Sequence, residues 1–128
     1  PVISKGQFGY KQVNVAAQER EPGSLLNQFE QLLRVRRQCP EIGRVAPTIL
    51  DADQLAVLGL RYQEGDGGLI VLHNLSGTAC TATVDLGTGV RFLTDLLDGY
   101  AHVPVEQKLH PVEMPAYGSR WLRVNGER

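Results

Sequence analysis

Leu69-Ile70-Val71-Leu72-His73-Asn74-Leu75 stands between two turn signals, Gly65-Asp66-Gly67-Gly68 on one side and Ser76-Gly77 on the other. The run is apolar on both alternating faces, so as a strand it needs cover on both sides and belongs inside a sheet. Outward from it, strand-like runs recur at residues 48–51, 55–63, 78–86, 90–97, 105–114 and 119–124. Gly87-Thr88-Gly89 and Asp98-Gly99 supply tight turns between them. Thr78, Thr81, Thr83 and Asp85 alternate with small or apolar neighbours and mark a more exposed strand. Pro111 removes a ladder donor and sends its run to an edge or a bulge. Short strands spaced roughly 8 to 12 residues apart predict an antiparallel sandwich or barrel.

Before residue 44 the period is different. Leu25, Leu26, Phe29, Leu32, Leu33 and Arg36 fall at helical spacing, with Ser24 placed as N-cap after Pro22-Gly23, predicting a helix over residues 24–38. Its last turns carry Arg34 and Arg37, which complement the negative end of the helix dipole or form an anion site; Pro40 and Gly43 stop it. Residues 1–23 show no sustained period and read as a long connection, a kind of segment that normally lies across another surface. Residues 1–44 therefore look like a loop and one helix from a neighbouring architecture, and residues 45–128 like a self-sufficient β domain. The start at Pro1, without methionine, points to a piece of something longer.

Thirteen Lys and Arg against 14 Asp and Glu leave a net charge of −1 over 128 residues, which excludes a basic nucleic-acid arm and an acidic tail. Apolar residues at 42% and charged residues at 21% are globular usage. Cys39 and Cys80 form neither a metal-spaced nor a C-x-x-C pair, so no zinc site, cofactor or disulfide framework is expected, and a reducing, cytoplasmic setting fits. No run reaches the length of a bilayer span.

Chemistry-bearing groups are sparse. The sequence holds no nucleophile elbow, phosphate-binding glycine loop or metalloprotease histidine pair. His73, mid-strand, reads as a hydrogen-bonded core or interface histidine, and His102 and His110 as solvent-facing turn residues. Glycoside hydrolysis needs two facing carboxylates, but Asp95 with Asp98, and Asp51 with Asp53, read better as turn residues. No catalytic residue is assigned. Tyr100, Tyr117 and Trp121 are candidate sugar-stacking aromatics; Trp121 shares a face with Arg123 and serves equally to cover the second side of the sheet.

Val13-Asn14-Val15-Ala16-Ala17-Gln18, Pro22-Gly23-Ser24-Leu25-Leu26-Asn27 and Leu32 to Gly43, taken in that order, resemble the end of the catalytic barrel in the α-amylase superfamily, glycoside hydrolase family 13. The strongest resemblance is to its trehalose synthase (maltose glucosylmutase) branch, whose opening Pro1-Val2-Ile3 and Gly9-Tyr10 also match. Residues 69–76 and 117–124 resemble strands of that family's C-terminal β domain. Ala17 and Gly23 depart from it, standing where acidic residues are usual. The resemblance implies a Greek-key sandwich over residues 45–128, preceded by the barrel's last helix, with Leu25, Phe29 and Leu32 packed on the barrel, on the β domain or on a second copy. It also implies that the Asp nucleophile, Glu acid/base and stabilising Asp of a retaining α-glucosyl enzyme lie upstream, leaving here an accessory domain with no sugar chemistry of its own. The other reading is a stand-alone carbohydrate-binding module.

Overall fold

The computed structural model describes residues 2–99 and 101–126 and divides the chain into two compact units, Pro1–Gln38 and Cys39–Arg128. In the first, Val15–Arg20 forms helix α1 and Leu25–Arg37 forms helix α2. α2 starts where the sequence places it, behind Ser24. α1 corrects the reading of residues 1–23 as connection only. Its start is fixed by Asn14, which accepts from the Ala17 N–H at 2.8 Å while its own amide donates to the Tyr10 carbonyl at 3.0 Å. Six residues are too few to display a sustained apolar period, which is why the pattern hides this helix.

The second unit opens on a helical turn, α3 (Glu41–Arg44), broken inside by Gly43 at φ 116°. Eight strands follow: β1 (Thr48–Leu50), β2 (Val57–Glu64), β3 (Gly67–Asn74), β4 (Cys80–Asp85), β5 (Val90–Asp95), β6 (Ala101–Pro104), β7 (Leu109–Met114) and β8 (Ser119–Gly126). Seven answer to the expected runs. β6 is additional, a four-residue partner of β5 too short to show alternation, and the 105–114 run contracts to β7.

The strands form a six-stranded antiparallel sheet, β1-β2-β3-β8-β5-β6, and a two-stranded ribbon, β4-β7. β8, the last strand, returns to lie between β3 and β5, while β4 and β7 pair apart from that sheet. Ile70, Leu72, Leu93, Leu122 and Val124 from the sheet meet Ala82, Val84, Val112 and Met114 from the ribbon, and each large side chain fully buried there contributes about 1.5–3 kcal/mol. Pro111 pairs with Thr83 in the ribbon, where every strand is an edge. Leu69 and Val71, on the other face of β3, are also buried, so the central strand is covered on both sides as its composition requires. Gly59 lets β1 close on β2: a Cβ there would stand 2.5 Å from the Leu50 carbonyl oxygen. Among the described residues no helix is long and apolar enough to cross a membrane.

Candidate functional site

In the first unit the polar members of the recognised motifs are caps. Ser24 Oγ accepts from the Asn27 N–H at 3.2 Å and donates to the Gln18 carbonyl at 2.7 Å. The Asn27 amide donates to the carbonyls of Gln18 (2.9 Å) and Glu21 (2.8 Å), and Gln18 Oε1 accepts from the Leu26 N–H at 3.0 Å. These bonds tie the end of α1 to the start of α2 and satisfy backbone groups that a helix terminus leaves open. The cap network leaves Val13, Val15, Leu25, Leu26 and Phe29 around an apolar hollow of about 620 Å³. Leu25 is 74% exposed and Phe29 57%, whereas Leu32 is half-buried.

In the second unit the outer face of the six-stranded sheet carries Leu69 opposite Arg123 and Val71 opposite Trp121. Arg123 Nη1 donates to Glu41 Oε1 at 2.6 Å and Nη2 to Cys39 Sγ at 3.4 Å; Glu41 and Cys39 are buried. Residues 39–44 are thereby held on the sheet, within the second compact unit. Nothing in the spacing of Glu41 and Arg123 announces this pair; it depends on α3 coming to lie against β8. The Trp121 indole Nε1 is buried and has no partner among the described residues.

The paired carboxylates are used structurally. Asp51 accepts from the Asp53 N–H at 3.0 Å, and Asp53, itself at φ 52°, accepts from the Thr83 N–H at 2.8 Å. Asp95 Oδ1 accepts from the N–H groups of Leu97 (3.0 Å) and Asp98 (3.2 Å), an Asx turn. Its other oxygen is 3.1 Å from Arg120 Nη1, which also lies 3.6 Å from Asp98. Asp85, paired with Lys108 at 3.0 Å, is held below the usual carboxylate range by the Gly87 N–H first and by Lys108 next. His73 Nδ1 lies 2.8 Å from Ser119 Oγ, as expected of a hydrogen-bonded interior histidine, and burial pushes it down. His110 is half-buried rather than solvent-facing, and burial lowers it too. His102 stands opposite Thr94 in β6. Among the described residues no group of three His, Cys, Asp or Glu is arranged to hold a metal ion, and Cys39 and Cys80 are not joined in a disulfide.

The three aromatics are not equivalent. Tyr100 lies outside the described residues. Tyr117 is 75% exposed at φ 52° and lays its ring over Gly77, whose Cβ, if present, would be 3.3 Å from the tyrosine hydroxyl. Trp121 is half-buried on β8.

No family model matches the chain. It is 30% identical to a trehalose synthase of Pimelobacter sp. (strain R48) over 129 aligned positions, 97% of this chain and 22% of that protein. It is 31% identical to a trehalose synthase/amylase TreS of Mycobacterium tuberculosis, covering 91% of this chain and 20% of that protein. The chain thus spans about a fifth of the length of the curated relatives it matches. Among solved structures, an α-amylase from H.orenii superposes with TM-score 0.71 at 24% identity over 93% of this chain and 24% of that one. An isomaltulose synthase from Erwinia rhapontici NX5 gives TM-score 0.68 at 21% identity over 91% of this chain and 20% of its own. These structures establish the fold. In sequence, the chain is similar to trehalose synthases along nearly its whole length.

Proposed function

We propose that this chain is the non-catalytic closing part of an α-amylase-superfamily glycosidase or transglucosidase acting on α-glucosidic sugars such as maltose and trehalose. Residues 1–44 are the tail of its barrel and residues 45–128 its C-terminal sandwich. The observation that carries the reading is the match to trehalose synthases over 91–97% of this chain, which is only 20–22% of their length. The roles of Asp51, Asp53, Asp95 and Asp98 in turns and ion pairs support it, since a retaining enzyme needs two carboxylates free to face one sugar ring. In the parent, the barrel carries the nucleophile and acid/base, the exposed Leu25 and Phe29 side of α2 packs against it together with Leu32, and two cysteines not joined in a disulfide suit a cytoplasmic setting. Without the barrel, the same side drives two copies together.

Reading the coding sequence ahead of Pro1 tests this. An open frame of several hundred codons holding the three carboxylates is expected; an initiating methionine next to Pro1 overturns it. A stand-alone carbohydrate-binding module is the second reading, supported by the exposed Tyr117 ring. Calorimetric titration with maltose, trehalose and longer α-glucans separates the two, because loss of binding heat in Tyr117→Ala is expected only of the module.

A further inference from the structure

A cleft of about 270 Å³ opens between β5, β7 and β8, floored by Leu93, Val112 and Leu122 and walled by Asp95, Asp98, His110, Glu113 and Arg120. Its polar wall is only partly used. Arg120 spends Nε on the Glu113 carbonyl at 3.0 Å and Nη1 on Asp95 and Asp98, which leaves Nη2 without a partner among the described residues. The Glu113 carboxylate and the His110 ring have none either. The result is a built arrangement: a guanidinium fixed by a 96% buried carboxylate, with one of its nitrogens unspent, over an apolar floor.

We infer that this cleft is a binding site for a neutral polyhydroxylated ring, one sugar or cyclitol unit. Charge selects the class. Asp95 and Arg120 cancel, and Asp98 and Glu113 leave the wall negative, which repels phosphate and carboxylate ligands. An ammonium ion only donates and meets the guanidinium edge unfavourably. Adjacent hydroxyls both donate to the carboxylates and accept from Arg120 Nη2, while the C–H face of the ring lies on the leucine and valine floor. The volume is near the lower end of small-molecule pockets, room for one ring rather than a chain.

The test follows the His110 ring protons by NMR in the whole chain during titration with glucose, myo-inositol, putrescine and inorganic phosphate. Saturable shifts with glucose or inositol are expected, weakened at least fivefold in Glu113→Gln and in Asp98→Asn but unchanged in Tyr117→Ala. Both acidic positions are exposed, so the variants should fold, which the dispersion of the same spectra verifies. Saturation by putrescine alone, by phosphate, or by no probe overturns the assignment. So does polyol binding that Glu113→Gln and Asp98→Asn leave intact. The readout is binding rather than turnover, so it is independent of whether the parent enzyme is a glycosidase.

Discussion

Glu41 and Arg123, 82 positions apart, form a 2.6 Å ion pair on the outer face of the sheet, with the glutamate side chain 3% exposed and the arginine 32%. A buried charge that loses its partner keeps its desolvation cost without the attraction that offset it. Arg123→Ala should therefore destabilise the second unit by about 3 kcal/mol in urea unfolding. The double variant Glu41→Leu, Arg123→Met should recover much of that loss. Equal losses in the single and double variants would mean the pair is not coupled.

Asn74 is the hub of the loops that follow β3 and precede β8. Its amide donates to the carbonyls of Thr78 (2.8 Å) and Pro115 (3.0 Å), and its Oδ1 accepts from the N–H and hydroxyl of Ser76. It is 2% exposed, so Asn74→Ala leaves buried groups unpaired and should cost about 3 kcal/mol. In Asn74→Asp, oxygen replaces the donor opposite two carbonyls, which favours the protonated acid. That variant should gain stability as pH falls, opposite to the wild type, in melts run between neutral and mildly acidic pH.

Burial holds His73 and His110 below the ordinary 6.5. The fold therefore favours their neutral rings, and its stability is fully present above 6.5 and falls as pH drops below that value toward the lowered folded pKa. His73→Gln should flatten this part of the profile. Asp85 acts further down: its carboxyl is held below the ordinary 3.8, so its contribution is present above 3.8 and lost as pH falls through the lower folded value. Asp85→Asn should remove this acid-side slope and lower stability by a constant amount above 3.8, leaving the shape of the profile there unchanged.

Leu25 and Phe29 leave a large apolar side chain each in water. Sedimentation should show mass rising with concentration, and Leu25→Asp with Phe29→Ser should abolish the rise while leaving the melting of the second unit unchanged. A monomer at every concentration contradicts self-association through this side of α2.

The double-faced run at 69–75 revealed the central strand because four successive buried side chains leave no polar face to misread. Ser24 announced α2 for the same reason that it caps it: a short hydroxyl before an apolar period. α1 and β6 stayed hidden because six and four residues hold too few periods for a helical or strand pattern to show. Asp95 and Asp98 were legible as turn formers, but their convergence on Arg120 depends on β5 and β8 being neighbours, and β8 comes to lie beside β5 only after the β6 and β7 excursions. The Glu41–Arg123 pair was illegible on the same ground. Local chemistry reads from neighbours in sequence, whereas long-range pairs require the register.

Incubating the purified chain with maltose and with trehalose, and following each sugar by chromatography, tests the non-catalytic role most directly. Both sugars should persist unchanged, with neither interconversion nor glucose release. Product that forms steadily and disappears in Asp95→Asn or Asp98→Asn would show that the chain carries its own catalytic carboxylates.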